Sequence, residues 1–410
     1  MLKILINAYA ISPDRGSEPG MGWNWCIRLA KEHELFIITE GEFAPGIDHA
    51  LASFPQRKHM HFYYLPVSNR VRRMCWNQGD WRFYLYYALW QRRALSLARK
   101  ICREHPIDIV HQLNMVGFRE PGFLWKIKGP KFIWGPVGGM GLTPSQYFTG
   151  APFPEYYLIR WKNLINRFQR KYSVRVRRAI RHSAVVLCAT PDEYQLVTAY
   201  HHGSALLINE TGTTSTPSRV DRAFKPPFHI IWVGKFMFRK QLGLALRTLS
   251  QIKEIPVVLD VFGTGSEKEI GFYKELASRL HVEDRVVWHG QVPRCEVDLW
   301  LDRSDLFLFT SVSEATSTVM MEAISRGLPV VCFDACGFGP IVDEEIGVKI
   351  PLTTPDDSVI RFSDAVKQLL SHPLWLSAMS DKSYMRSKSL TWDEKVRVLS
   401  EIYQKLTDSM

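Results

Sequence analysis

Two glutamates, Glu314 and Glu322, are the residues of this chain whose type and spacing most suggest chemistry. Glu314 follows the apolar run Asp305 to Thr310, and Glu322 falls in a stretch whose apolar residues recur at helical spacing. The valine-rich run 327–333 then predicts a second buried strand. The segment therefore reads as strand, loop, helix and strand, with Glu314 in the loop beyond a strand's carboxyl end, where open α/β sheets bind ligands.

The predicted helix begins with three hydroxyl side chains, Thr316, Ser317 and Thr318. A helix N-terminus favours a phosphate because its first amides lack partners and its dipole is positive there. Carboxylates beside a phosphate must have another role, so we expect Glu314 and Glu322 to accept hydrogen bonds from hydroxyls on either side of a diphosphate. One would bind a transferred sugar and the other a ribose, which predicts a nucleotide-sugar site. The alternative is that both carboxylates lie on a solvated helix face.

A second segment, GKFMFRKQ, places cations where such a substrate needs them. Gly234 follows the predicted strand 228–233, and Lys235, Arg239 and Lys240 come before the next helical stretch. Spaced cations in such a loop can stabilise a departing diphosphate, on which charge grows as the glycosidic bond breaks. We therefore expect Glu314, Lys240 and Lys235 to be catalytic and Arg239 to bind the donor; the alternative is simple solvation of these cations.

The spacing of Glu314 and Glu322, followed by Ala323 and GLPVV, resembles the E-x7-E signature of glycosyltransferase family 4, a retaining family with the GT-B fold. In that family's G-R-x4-K-G pattern, Lys240 matches the Lys, Lys235 stands where Arg is usual and Gln241 replaces the second Gly. The resemblance also implies further donor-binding residues: Gly263 in a turn, and His289, Gly290 and Gln291 in a loop whose backbone contacts the nucleotide base.

The first half of the chain carries a weaker part of the resemblance. Gly16 and Ser17 stand where the family has a Gly-Gly pair facing the donor diphosphate, and His111 matches the first His of its DvvHxH pattern, with Leu113 in place of the second. The strings GSEPGMGW and FIWGPVGGM resemble a subgroup concerned with bacterial surface polysaccharides. We expect His111 to be catalytic and three residues to line the acceptor side: Glu18, Gly138 and Gly139.

A length of 410 residues is too great for one ordinary core and favours two domains. The resemblance implies an α/β GT-B protein whose two Rossmann-like domains face a cleft. We expect an acceptor domain at 1–208, a linker at 209–218 and a nucleotide-sugar domain at 219–391. The terminal helix 392–410 is expected to cross back to the first domain. No cofactor and no metal site are expected, and the donor's base, UDP or GDP type, stays open.

Cysteine content and hydropathy give the expected location. The seven cysteines are scattered, the one tight spacing has no second pair to complete a zinc site, and no apolar run approaches the ~18 residues of a membrane span. MLKILINAYA is followed by a glycine-rich loop and not by a signal-peptide cleavage site. We therefore expect a reduced, cytoplasmic protein.

The net charge of +11 is unevenly distributed. Residues 1–210 hold 28 Lys and Arg against 15 Asp and Glu, whereas residues 211–410 hold 24 against 26. Two cationic stretches bear aromatic residues, 70–103 and 160–181, the second within one predicted amphipathic helix, Tyr156 to Arg181. We expect them to bind an anionic membrane surface, unless their apolar stripes pack in the core. No nucleic-acid recognition motif is present.

These observations predict a retaining hexosyltransferase that needs no metal. Its donor would be a nucleotide-sugar, and its acceptor a polyprenyl-diphosphate-linked or other lipid-linked glycan of a surface polysaccharide or lipopolysaccharide. The expected location is the cytoplasmic face of the inner membrane. The alternative is a nucleotide-sugar epimerase or a phosphorylase of the same fold.

Overall fold

The computed structural model describes residues 1–76, 80–150, 153–213 and 219–408. The chain forms two compact units. The first contains Met1–Met140, Ile165–Thr211 and the stretch from Trp392 onward; the second contains Gly141–Leu164 and Gly212–Thr391. Each unit has an α/β architecture, and the chain passes between the units more than once.

The first unit is built on a parallel sheet of seven strands in the order β3-β2-β1-β4-β5-β6-β7 within the described residues. Its central strands are almost wholly buried, as expected of a parallel sheet covered by helices on both faces, and β1 and β2 are mainly apolar. The strands are Lys3–Ala8 (β1), Glu34–Thr39 (β2), Met60–Tyr64 (β3), Ile109–Asn114 (β4), Lys131–Val137 (β5), Val185–Cys188 (β6) and Ala205–Leu207 (β7).

Helices lie between most of these strands, in pairs before β4 and before β6. They are Ser17–Leu29 (α1), Ala44–Leu51 (α2), Asn69–Met74 (α3), Arg82–Glu104 (α4), Phe153–Tyr172 (α5), Val174–His182 (α6) and Pro191–Gln195 (α7). The single helix expected from Tyr156 to Arg181 is therefore two helices. Ser173 separates them because its side chain accepts a hydrogen bond from the Val176 amide and so caps a new helix.

The second unit holds a parallel six-stranded sheet in the order β10-β9-β8-β11-β12-β13, counted over the described residues. The strands are Phe228–Val233 (β8), Val257–Phe262 (β9), Val286–Gly290 (β10), Leu306–Phe309 (β11), Val330–Phe333 (β12) and Gly347–Ile350 (β13). The helices are Leu242–Ser250 (α8), Glu267–Arg279 (α9), Arg294–Arg303 (α10), Thr318–Ser325 (α11), Pro355–Leu370 (α12) and Pro373–Ser387 (α13). The expected pair of Rossmann-like sheets is confirmed.

The last helix, Trp392–Asp408 (α14), belongs to the first unit. Trp392 packs edge-on against Trp25 of α1, with the ring centroids 5.4 Å apart, and Ser400 Oγ lies 3.0 Å from His33 Nε2. These contacts are buried. The helix expected to return to the first domain thus contributes to that domain's core.

Residues 141–164 group with the second unit, although the expected division placed them in the first. Tyr147 accounts for this difference because its ring lies in the second unit's core, edge-on to Phe333 at 5.7 Å, and its hydroxyl lies 2.6 Å from Ser358 Oγ. The passage to Gly212 falls inside the expected linker, of which residues 214–218 lie outside the described part of the chain. None of the described helices has the length and hydropathy needed to cross a membrane.

Candidate functional site

Glu314 lies against two cations in the second unit. Its Oε1 atom is 2.5 Å from an Arg239 guanidinium nitrogen and forms an ion pair with Lys240 Nζ as well. Only 12% of the side-chain surface of Glu314 and of Lys240 is exposed. The structure therefore brings one carboxylate and two cations to the carboxyl ends of the adjacent strands β8 and β11.

Hydrogen bonds between the two loops fix this cluster. The Val312 amide donates to the Arg239 carbonyl (2.9 Å), and the Thr310 hydroxyl donates to the Lys240 carbonyl (2.8 Å). The Trp232 indole donates in turn to Thr310 Oγ1 (3.0 Å). Lys240 Nζ also lies 5.2 Å from the centre of the Phe309 ring. The cations are thus held in place before any ligand arrives, as electrostatic catalysis requires.

Lys240 and Lys235 differ sharply in their surroundings. Burial lowers the pKa of Lys240 from its usual value, although the nearby Glu314 carboxylate opposes that shift. Lys235 is exposed. The cation that joins Lys240 at Glu314 is Arg239, because the single 3-10 turn Phe238–Lys240 carries both side chains toward β11. This geometry supports Arg239 more strongly than Lys235 as the second cation.

Two residues that replace a family glycine adopt the left-handed backbone conformation in which glycine is favoured. Gln241 has φ of 51° and Ser17 has φ of 57°. For a non-glycine residue this conformation is less stable than the right-handed one by roughly 1–2 kcal/mol. Both residues therefore adopt a backbone conformation that glycine would adopt without strain.

The N-terminus of α11 lies directly after Glu314 in the chain. Ser317 is the N-cap residue and is buried, but its side chain makes no capping hydrogen bond; Thr318 is exposed. Thr316 packs against Gly337, where an added Cβ would lie 2.3 Å from Thr316 Oγ1. The sequence did not indicate Gly337 or Cys336, whose sulfur accepts a hydrogen bond from the Glu314 amide (3.3 Å).

Glu322 is a buried carboxylate on α11, with 7% of its side chain exposed. Burial raises its pKa, while its ion pair with Arg294 of α10 acts in the opposite direction. The Arg294 side chain is largely exposed. A ligand hydroxyl that replaced this arginine would meet a preformed acceptor. Arg294 lies outside the family motifs used above, and helical spacing gave no signal for it.

Backbone contacts join the ends of β8, β9 and β10. The Gly234 amide donates to the Phe262 carbonyl (2.9 Å), and the Gly263 amide donates to the Gly290 carbonyl (2.8 Å). Gly263 has φ of 128°, and a Cβ there would lie 1.8 Å from the Gly234 carbonyl oxygen. Only glycine fits at position 263. These three expected donor-side glycines therefore form one continuous surface.

The His289 side chain packs beneath that surface. Its Nε2 atom lies 2.8 Å from Asp260 Oδ1, and its ring stacks on Phe262 with the centroids 4.1 Å apart. Asp260 is wholly buried and its other oxygen lies 2.8 Å from His229 Nδ1. Gln291, which follows Gly290, is exposed. The sequence did not indicate a role for Asp260 or His229, because a single polar residue within a strand produces no periodic pattern.

In the first unit, Glu18 lies beside the carboxyl ends of β1, β4 and β5. Its Oε1 atom accepts a hydrogen bond from the Val116 amide (2.5 Å), and the Val116 carbonyl accepts one from the Gly138 amide (2.9 Å). Burial raises the pKa of Glu18. Gly16 is the exposed N-cap residue of α1, next to Ser17. Gly139 has φ of 83° and open space where a Cβ would lie.

His111 lies inside the first unit's core. It is wholly buried, its Nδ1 lies 2.6 Å from the Tyr403 hydroxyl, and its Nε2 lies 2.6 Å from the Gly135 carbonyl oxygen. Burial lowers its pKa to about 4, so the ring is neutral near pH 7. Because both ring nitrogens are occupied, the geometry favours a structural role for His111, anchoring α14 to β4 and β5, over the expected catalytic role.

No group of three or more His, Cys, Asp or Glu side chains within the described ranges is arranged as a metal site. Arg239 and Lys240 place two positive charges beside Glu314. Two parallel Rossmann-like sheets with clustered carboxylates and cations at their strand ends define a protein of the GT-B class. A solved structure of sucrose-phosphate synthase from Thermosynechococcus elongatus has this fold: it superposes with a TM-score of 0.66 over the whole of both chains, at 14% sequence identity.

Residues 227–372 match the sequence model of the family described as Glycosyl transferases group 1. The phosphatidylinositol N-acetylglucosaminyltransferase GPI3 subunit of Saccharomyces cerevisiae is 23% identical over 180 residues, which are 44% of this chain and 39% of that protein. The putative colanic acid biosynthesis glycosyltransferase WcaL of Escherichia coli is 30% identical over 128 residues, 29% of this chain and 31% of its own length. The chain is a GT-B protein like those of glycosyltransferase family 4, and that expected resemblance is confirmed.

Proposed function

We propose that this protein is a retaining glycosyltransferase that uses a nucleotide-sugar donor. The observation that carries the proposal is the cluster of Glu314 with Lys240 and Arg239, followed by the buried Glu322 on α11. This cluster lies inside the segment that matches the group 1 glycosyltransferases. A carboxylate for sugar hydroxyls and cations for a leaving diphosphate are the parts that glycosyl transfer from such a donor requires.

In the proposed reaction, the bond between the sugar's anomeric carbon and the diphosphate oxygen breaks, the acceptor hydroxyl oxygen forms a new bond to that carbon, and the proton of that hydroxyl passes to the departing diphosphate. Lys240 and Arg239 would stabilise the negative charge that grows on the diphosphate. Glu314 would then release these cations and accept hydrogen bonds from the sugar. Glu322 would hold the ribose hydroxyls. No nucleophilic carboxylate is assigned, which suits attack on the same face that the leaving group departs from.

We propose that the transfer step needs no metal ion. Lys240 and Arg239 already place two positive charges beside Glu314, and the amides of α11 add a partial positive charge. EDTA should therefore leave the initial rate unchanged, measured as release of the nucleoside diphosphate. A strong requirement for Mg²⁺ or Mn²⁺ in that step would overturn this part of the proposal.

A donor panel tests the reaction itself. The protein would be incubated separately with UDP-, GDP- and ADP-sugars, and the first product would be followed by proton NMR. We expect the anomeric configuration of the released or transferred sugar to match that of the donor. Inversion would exclude retention, an epimerised donor would indicate the alternative epimerase, and the absence of any reaction across the panel would count against a glycosyltransferase.

The proposed acceptor is a lipid-linked glycan at the cytoplasmic face of the inner membrane. The two cationic stretches differ: the stripe of α4 packs in the first unit's core through Phe83, Tyr87 and Trp90, whereas Trp161 and Phe168 on α5 are 61% and 65% accessible. Trp81 beside α4 is also exposed, and cations accompany the exposed side chains in both segments. Exposed aromatic residues among cations are typical of surfaces that bind anionic bilayers. The E. coli relative's name, which refers to colanic acid biosynthesis, supports a surface-polysaccharide product.

Vesicle flotation tests this location. The protein should float with anionic vesicles at ~50 mM salt, where screening is weak, and should be released as the salt concentration rises. Neutral vesicles provide the control and should leave the protein unbound. If the protein does not bind anionic vesicles at low salt, the membrane proposal fails and a soluble acceptor is the next candidate.

A further inference from the structure

A cavity of about 730 Å³ lies in the first unit, and its arginines belong to the cationic stretch 160–181. It is formed by α6, the end of α5 and the turn that leads into β7. Five of its lining residues are basic: Arg177, Arg178, Arg181, His201 and His202. Its described lining includes no Asp or Glu. A volume of this size can hold a small organic or phosphate-bearing anion.

The cavity lies at the opposite end of the first unit's strands from Glu18 and Gly138. The helix α6 ends at His182 just before β6 begins, and the turn 200–204 comes just before β7. Both features are at the amino ends of parallel strands. Glu18 and Gly138, in contrast, lie at the carboxyl ends, where open α/β sheets bind their substrates. A ligand in this cavity would therefore not occupy the first unit's acceptor-side site.

The charges of α6 are arranged at the expense of helix stability. Arg177 and Arg181 are spaced i,i+4 on one helix face, and like charges at that spacing destabilise a helix by roughly 0.2–0.5 kcal/mol per pair. Neither arginine, nor Arg178, has an ion-pair partner among the described residues. All three are exposed. The partial negative charge at the helix C-terminus stabilises nearby cations, but it explains only part of this accumulation of positive charge. An external anion is therefore the natural counter-charge.

The turn that closes the cavity is held rigidly. His201 Nε2 lies 2.8 Å from the Arg170 carbonyl oxygen of α5, and the Gly203 amide donates to the Val197 carbonyl (2.8 Å). A Cβ at Gly203 would lie 2.6 Å from Ile180 Cγ2, so the turn packs directly on α6. The two basic elements are therefore fixed relative to each other without a ligand, which reduces the entropy lost on binding.

Apolar and aromatic side chains surround the basic residues. Tyr172, Val174 and Tyr200 line the cavity and are all largely exposed, and Lys171 Nζ lies 5.1 Å from the centre of the Tyr200 ring. Leu206, on the edge strand β7, is exposed close by in the chain. A basic cavity with an apolar and aromatic rim can bind either the phosphate group of an amphiphile or a free phosphate compound.

We propose that this cavity is a second anion site, which binds the phosphate groups of a phosphate-bearing ligand outside the transfer site. Guanidinium groups bind phosphate oxygens in bidentate fashion, and three arginines line this cavity. The proposal does not depend on the proposed transfer reaction. The ligand's source is either a free phosphate compound or the phosphate headgroup of a lipid, and the experiment separates the two.

Calorimetric titration with inorganic pyrophosphate tests the site directly. The double variant Arg177→Gln/Arg181→Gln should weaken binding in the cavity about thirtyfold, which corresponds to about 2 kcal/mol for two removed charges. Ser204→Glu, which places a carboxylate at the exposed edge of the cavity, should weaken it as well. The matched control, Lys274→Gln/Arg279→Gln, removes two exposed cations from α9 and should leave binding unchanged.

Pyrophosphate can also bind the cations beside Glu314, so each titration is repeated with Lys240→Ala. Binding that survives Lys240→Ala and disappears with Arg177→Gln/Arg181→Gln belongs to the cavity. If Lys240→Ala changes nothing, the proposed donor site is in doubt while the cavity site stands. The proposal would be overturned if wild type, the double variant and Ser204→Glu bound pyrophosphate equally. It would also be overturned if no pyrophosphate bound outside the Lys240 site and the cavity variants had no effect on vesicle binding.

Vesicles identify the source of the phosphate. Wild type and variants would be mixed with phosphatidylcholine vesicles that either contain or lack phosphatidic acid. Loss of phosphatidic-acid-dependent binding in both cavity variants, but not in the α9 control, supports a lipid headgroup. Unchanged vesicle binding combined with lost pyrophosphate binding supports a free phosphate ligand.

Discussion

Replacing Lys240 by Ala tests the assignment of charge in the second unit. Lys240 is 12% exposed and pairs with Glu314, whose other cation, Arg239, lies 2.5 Å away. Since Arg239 remains paired with Glu314 in the variant, no unpaired carboxylate is left and the fold should survive. The loss should therefore appear in catalysis. One preorganised electrostatic group contributes about 3 kcal/mol to a transition state, so turnover should fall about a hundredfold.

The assay is the initial rate of nucleoside diphosphate release at saturating donor, with kcat and KM determined separately. Lys240→Met keeps the aliphatic stem against the Phe309 ring and should lose as much turnover as Ala, because the charge is the important feature. Lys235→Ala is the matched control from the same loop, since Lys235 is exposed. A loss below fivefold for Lys240→Ala, or an equal loss for Lys235→Ala, would refute the reasoning.

Three further predictions concern Glu322, Tyr403 and His111. Glu322→Ala should weaken nucleotide binding, measured by calorimetry with UDP, GDP and ADP; equal affinities in variant and wild type would contradict a role in holding the ribose. Tyr403→Phe removes the hydroxyl that bonds the buried His111 and should lower the free energy of unfolding by about 1–3 kcal/mol in urea, with nucleotide affinity unaffected; full stability would show that the bond is not needed. The pKa of His111 is lowered from 6.5 to about 4, so the unfolded chain gains a proton at this residue first, and stability should decrease as the pH falls from 6.5 toward 4, by up to about 3 kcal/mol. Unfolding measured across this range should show a smaller decrease in His111→Gln, and an identical decrease would disprove the contribution.

The sequence predicted the sheets well because buried parallel strands appear as short apolar runs. Leu306–Phe309 and Val330–Phe333 are strands that flank α11, as the runs around Glu314 indicated. The loops at their carboxyl ends could be located for the same reason, so Glu314 and Lys240 were both recognisable as candidate site residues, although their ion pair was not predicted. A repeated pattern of apolar residues is a local property and needs no knowledge of the fold.

The sequence could not show which partner each polar residue takes. Arg239, and not Lys235, reaches Glu314 because of one short turn that ends in a left-handed residue, Gln241. His111 is matched with Tyr403, a residue 292 positions away, so no local pattern indicates that the histidine is structural. Tyr147 lies in the second unit's core, whereas a domain boundary drawn from the linker alone places it in the first domain.

The contacts of α14 have a consequence for the order in which the protein is completed during synthesis. The first unit needs Tyr403 and Trp392 to fill its core, and these residues are translated after the entire second unit. At 5–20 residues per second, roughly ten seconds or more separate β7 from the last helix. The earlier strands must wait for that interval with the surface around His111 and Trp25 uncovered. Both segments of the second unit, Gly141–Leu164 and Gly212–Thr391, are translated before α14, so the unit that begins first is the one that is finished last.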